Sequence, residues 1–172
     1  NNAKLIMNTK FGSMKIVKQA PKDFQIQYDV KSGQTWSDGT PIDAVDLLLT
    51  HVVASGKYSI DAGLGDPSAD GAPAFNSISY GGTYDDNVVG LPKLSSDKMS
   101  LTVKFAKPLP DWELLAPGPG AVHALQLMAD GKKGLQSASV NAAAKAKFLK
   151  VFTSKNTDAL KAMGKVYNED YN

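Results

Sequence analysis

The sequence predicts an α+β fold: an antiparallel sheet from two hairpins packed with helices, and a helical C-terminal third. Two alternating segments carry the sheet. Phe24, Ile26, Tyr28 and Val30 interleave with Gln25, Gln27 and Asp29, and Met99, Leu101, Val103 and Phe105 interleave with Ser100, Thr102 and Lys104. A period of two buries one face of a strand and leaves the other to water. The third observation is order, since strands cluster early, helical patterns come late, and no internal repeat stands out.

Along the chain, Lys4-Leu5-Ile6-Met7 reads as a short edge segment or tail. Residues 13–20, with Met14, Ile16 and Val17, pair through Pro21-Lys22-Asp23 with residues 24–30 in a first hairpin. That strand ends near Lys31-Ser32-Gly33. Ser37-Asp38-Gly39 then forms a turn in which Gly39 takes positive φ and Asp38 bonds nearby amides, while Pro41 stiffens the approach. Asp43 is placed as the N-cap of a helix over 44–54, with Asp46 as its partner in the first turn. Glu or Gln would fill that partner position better. Val45, Leu47, Leu48, Leu49, Val52 and Val53 make this helix mostly buried, and Gly56 is its expected C′ residue.

Residues 56–90 read as a long Gly-, Pro- and Asp-rich loop, a length that marks either function or a missed element. Its segment 80–86 combines Tyr80 and Tyr84 with Gly and Asp, and these two tyrosines are the candidate ligand contacts. A second hairpin joins 89–94 to 99–105 through Ser95-Ser96-Asp97-Lys98, and Pro108 and Pro110 stop it. Helices follow over 121–129, 140–153 and 157–167, the last capped by Thr157 or Asn156.

Composition narrows the function classes. Hydrophobic residues make up 42% and charged residues 21%, ordinary for a globular chain of 172 residues, about one domain. The absence of Cys excludes disulfides, thiolate catalysis and Cys-based metal sites. All 19 basic residues are Lys, and only Lys132 and Lys133 are adjacent, so neither Arg forks nor a basic patch supports a nucleic-acid partner.

No candidate for chemistry outweighs its structural reading. Asp38, Asp43 and Asp46 form the nearest approach to a carboxylate cluster, yet turn and cap account for all three. Trp36 reads as a core plug, with stacking on a sugar or peptide side chain as its functional alternative, and Trp112 reads likewise. His51 and His123 have no second His at metal-ligand spacing and no evident triad partners. Gly63-Leu64-Gly65 and Gly81-Gly82 lack the Lys-Ser/Thr and the helix of a phosphate loop, and the Asp residues lack a calcium-loop register. Neither a metal nor another cofactor is expected.

One segment is specific enough to carry a resemblance. Trp36-Ser37-Asp38-Gly39-Thr40-Pro41, followed by Ala44 and Asp46, resembles the signature of the extracellular solute-binding proteins of oligopeptide and dipeptide ABC importers (family 5), where it also joins a strand to a helix. A supporting likeness runs through Leu101 to Pro108, Asp111-Trp112-Glu113-Leu114-Leu115 and Val122-His123-Ala124-Leu125. Gly120-Ala121-Val122 departs there from the family's Pro-x-His-x-Leu-like helix start. The structural family motif is thus Trp36, Asp38, Gly39, Pro41, Asp46 and Trp112.

Family members are several times longer, so the resemblance implies that residues 1–172 form a single domain, a subdomain of the first lobe of a larger binding protein. It implies capture of oligopeptides or a similar solute outside the cell, by a monomer whose partners are the rest of the binding protein, an ABC permease and the peptide. The full-length protein would be a membrane-anchored lipoprotein or periplasmic. Relatives that carry oligosaccharides, nickel chelates or haem keep those ligands open as alternatives. A hydrolytic enzyme domain is the competing class, and the sequence supplies no nucleophile or metal constellation for it.

Overall fold

Alternation becomes a four-stranded antiparallel sheet in the computed structural model, which describes residues 9–77 and 81–171. The strands are β1 (Gly12–Ala20), β2 (Asp23–Val30), β3 (Lys93–Leu94) and β4 (Ser100–Phe105), in the order β1-β2-β4-β3. Register sets the core: Phe24 lies opposite Phe105, Ile26 opposite Val103 and Tyr28 opposite Leu101, all six buried. The same face continues into β1, where Met14 opposes Tyr28 and Ile16 opposes Ile26. The register then shifts between Ile16 and Lys18, so Val17 falls in a bulge and is largely exposed.

The α+β architecture and both hairpins are as the sequence predicts, although β3 keeps only two residues of the expected 89–94 strand. Val88 makes an isolated bridge to Phe105 in its place. Lys4 to Met7 lie outside the described residues.

The helices are α1 (Leu48–Ala54), α2 (Gly56–Asp61), α3 (Thr83–Asn87), α4 (Val122–Ala129), α5 (Ala138–Ser154) and α6 (Thr157–Val166). A 3₁₀ turn spans Trp112–Leu115, and a π-helical turn spans Tyr167–Tyr171. α4 packs on both α5 and α6. Phe148 and Phe152 of α5, Leu160 and Met163 of α6, and Leu125 of α4 complete one continuous core with the sheet.

Two expectations need correction. Gly56 is not a C′ residue: α1 ends at Ser55 in extended conformation, and Gly56 opens α2, with the Ser55 side chain accepting from the Tyr58 amide. A Cβ on Gly56 would lie 3.1 Å from a carboxylate oxygen of Asp85, whose other oxygen accepts the Gly56 amide at 2.7 Å. Nor is 56–90 simply a loop, since it contains α2 and α3. Those helices have six and five residues, too short to show a period, and long-range contacts such as Asp85 to Gly56 hold them. Among the described residues no helix is long and apolar enough to cross a membrane.

Candidate functional site: a polar junction and an aromatic cleft

The conspicuous turn closes on itself first. The Gly39 amide donates to the Trp36 carbonyl at 3.0 Å and the Trp36 amide to the Thr40 carbonyl at 2.9 Å, while Thr35 and Pro41 form a bridge. Gly39 stands at φ +83°, where a Cβ would be strained. Asp38 Oδ1 accepts the Thr40 amide at 2.9 Å.

Asp43 and Asp46 then cap each other's turn. The Val45 amide donates to Asp43 Oδ1 at 2.9 Å, and the Asp43 amide donates to Asp46 Oδ2 at 3.1 Å. Asp43 is thus not the N-cap of α1, which has Leu47 there and no side-chain cap bond; the two carboxylates instead brace the tight turn that precedes the helix expected over 44–54. The first helical turn is tight, with the Asp46, Leu47 and Leu48 amides bonding three residues back, and regular helix begins only at Leu48.

The remaining oxygens of this turn reach the C-terminal helices. Asp38 Oδ2 accepts from His123 Nε2 at 2.9 Å and from Asn141 Nδ2 at 3.1 Å, and that Asn141 amide also meets Thr40 Oγ1 at 2.8 Å. Lys145 Nζ contacts the Pro41 carbonyl at 2.8 Å, Asp46 Oδ2 at 2.7 Å and Asp43 Oδ1 at 3.2 Å. His123, Asn141, Lys145 and Asp46 are all buried.

Burial opposes charge on Asp38, but the Thr40 amide, the Thr40 side chain and His123 hold its carboxyl below the usual range. Burial pushes the Asp46 carboxyl up, against the downward pull of Lys145. Trp36 Nε1, His123 Nδ1, Asn141 Oδ1 and Asp46 Oδ1 have no hydrogen-bond partner. Protein contacts thus satisfy part of the junction's polar groups, and these four atoms bond no protein group among the described residues.

A second cluster surrounds His51. Its ring meets Tyr58, Tyr84 and Phe152 edge-on at centroid distances of 5.5, 6.0 and 5.9 Å. Burial first, then the Lys155 charge, lowers its pKa to about 3, so the ring is neutral, and its Nδ1 shares a hydrogen bond with the Tyr84 hydroxyl at 2.9 Å. Tyr84, a candidate ligand contact in the sequence, spends its hydroxyl on His51 and packs its ring edge-on to Phe105. Tyr80 lies outside the described residues.

Between the motif and the end of α6 is a cleft of about 430 Å³. Trp36 lines it from the turn, Thr50 and Val53 from α1, Gly118 to Ala121 from the link into α4, and Tyr167 and Tyr171 from the π-turn. Trp36 is half-buried, its ring 6.4 Å from that of His123, so it is a wall as well as a plug. Trp112 is half-buried and packs against the core from its 3₁₀ turn.

The structure therefore brings Trp36, Asp38, Gly39, Pro41 and Asp46 together and leaves Trp112, Tyr84 and the motif in three different neighbourhoods. Asn141, Lys145, Tyr167 and Tyr171 were not singled out by sequence. A signal existed for two of them: Asn141 and Lys145 extend the buried stripe of Ala144, Phe148, Val151 and Phe152 at helical spacing. Polar residues on such a stripe need partners across the interface. Among the described residues no group of three or more His, Asp or Glu is arranged to hold a metal ion. No known family, curated protein or solved structure matches the chain.

Proposed function

We propose that the chain is part of the substrate-binding component of an ABC importer, capturing oligopeptides or a similar solute outside the cell for transport. The observation that carries the reading is the Trp36-to-Asp46 turn, with its family-like spacing and with the Asp38, Asp43 and Asp46 carboxylates each engaged in turn, cap or helix contact. A motif used this way builds a lobe.

In this reading the chain works as a scaffold of the first lobe, within a monomer that is lipoprotein-anchored or periplasmic. Ligand binding stabilises a closed arrangement of lobes, which the permease then recognises. Peptides are held largely through backbone and termini, so side-chain selectivity is broad. The rest of the binding protein supplies most of the grip.

Thermal-shift screening of the protein encoded by the complete gene, against peptide and sugar libraries, tests the proposal. Stabilisation by peptides without turnover supports it. Turnover of a peptide by the purified protein points to the hydrolase class instead.

A further inference from the structure

Three Asp-Gly pairs occur in the chain, Asp38-Gly39, Asp70-Gly71 and Asp130-Gly131. At such a pair the backbone can rearrange, because glycine has no Cβ to shield its amide nitrogen from the carboxyl carbon of the preceding aspartate. Folding decides which pairs react. The nitrogen attacks only when it is released from any acceptor and the carboxyl is able to turn toward it.

Two of the pairs are locked. The Gly39 amide donates to the Trp36 carbonyl at 3.0 Å, and both Asp38 oxygens are held, Oδ1 by the Thr40 amide and Oδ2 by His123 and Asn141. The Gly131 amide donates to the Met128 carbonyl at 2.9 Å where α4 ends, and Asp130 Oδ1 accepts from Gln126 at 3.0 Å and from Lys147 at 2.6 Å.

Asp70-Gly71 differs. Among the described residues the Gly71 amide has no acceptor, and the Asp70 carboxyl has one bond, in which Oδ2 accepts the Asp66 amide at 2.8 Å. Both residues are exposed, Gly71 stands at φ +93°, and a Cβ on it would meet nothing within 4 Å. A ring closing over this peptide bond has room.

We infer that Asp70 is a spontaneous modification site, converting to isoaspartate through a cyclic imide with Gly71. The Gly71 nitrogen attacks Asp70 Cγ: the N–Cγ bond forms, the bond from Cγ to the protonated carboxyl oxygen breaks, and that oxygen leaves as water with the former amide proton. Water then adds back to the ring. Opening at Cγ restores aspartate, whereas opening at the Asp70 main-chain carbonyl breaks the original peptide bond and leaves Gly71 joined through Cγ. Nothing is oxidised or reduced, and water is the only co-reactant.

The product lengthens the backbone by one carbon and moves the free carboxylate onto Cα. The Asp66 amide then loses its acceptor and the turn over 66–70 opens, while Ala74 and Asn76 stay fastened to Asn168. The site does not depend on the transport reading.

The test ages the chain at about pH 5, acidic enough for a fraction of carboxyls to carry the proton that leaves with water. One sample stays folded, as checked by circular dichroism, and one is held in guanidinium chloride. Isoaspartate is counted by methyl transfer from S-adenosylmethionine with a protein isoaspartyl methyltransferase, and it is placed by peptide mapping with electron-transfer fragmentation. With each site's rate divided by its rate in denaturant, Asp70 in the folded chain is expected to react at least about threefold faster than Asp38 or Asp130, the factor that releasing one hydrogen bond costs in rate. A smaller ratio overturns the proposal. Asp70→Glu, whose imide ring is larger and closes slowly, is expected to remove most methyl acceptance from the folded chain. Undiminished methyl acceptance by the folded variant overturns the proposal as well.

Discussion

Lys145 Nζ lies 2.7 Å from Asp46 Oδ2 although 99 residues separate them, and the Asp46 side chain is fully buried. The pair ties the first turn of the α1 segment to the middle of α5. Removing one member leaves the other charged and desolvated, which costs about 3–5 kcal/mol, whereas removing both costs much less. Lys145→Met is therefore expected to destabilise strongly in urea titrations, and the double variant with Asp46→Leu to recover much of the loss.

Asp38 is the second tie. Asp38→Ala strands the buried His123 donor and leaves the Asn141 amide with Thr40 Oγ1 alone, with an expected loss of about 1–3 kcal/mol, the cost of an unsatisfied buried group. Near-ultraviolet dichroism of Trp36 should change as well, because its ring packs beside that of His123. A loss below about 0.5 kcal/mol, the level of ordinary surface substitutions, would remove the tie from the account.

His51 makes the fold acid-sensitive. Its folded pKa is lowered to about 3 from a reference of 6.5, so the unfolded chain binds the extra proton in between. The associated stability is fully present above about pH 6.5 and is lost as pH falls toward about 3. His51→Gln is expected to be less stable at pH 7, through the lost ring contacts, yet to show a shallower decline over that window. Urea midpoints across the range measure both effects. The native slope should exceed the variant's by up to about 1.4 kcal/mol per pH unit.

Gly164 and Gly120 differ from Gly118 in what a methyl group would meet. A Cβ on Gly164 would fall 2.1 Å from the Ala74 carbonyl oxygen, and one on Gly120 would strike Leu49. Gly164→Ala and Gly120→Ala should each lower stability by about 1–3 kcal/mol, with Gly164 the worse because backbone cannot swing aside. Gly118→Ala should be neutral in the same melts.

How far the sequence was legible follows from where each signal resides. The sheet was readable because Phe24 to Val30 and Met99 to Phe105 alternate strictly, and one-sided burial needs nothing else. The turn was readable because Asp38, Gly39 and Asp43 act on atoms within three residues. α2 and α3 were not, since helices so short depend on distant partners such as Asp85. The cleft was hidden for a similar reason: Trp36, Gly118 and Tyr171 converge only after α1 and the π-turn are in place. His51 and Tyr84 looked independent in sequence, and packing made them one hydrogen-bonded unit.

As proposed, this chain scaffolds a solute-binding protein and does not itself hold the peptide. Isothermal calorimetry with one peptide library, run on the 172-residue chain and on the protein from the complete gene, tests it most directly. The expected result is micromolar peptide binding by the complete protein and none by the chain alone. Micromolar binding by the chain alone, or none by the complete protein, would contradict it.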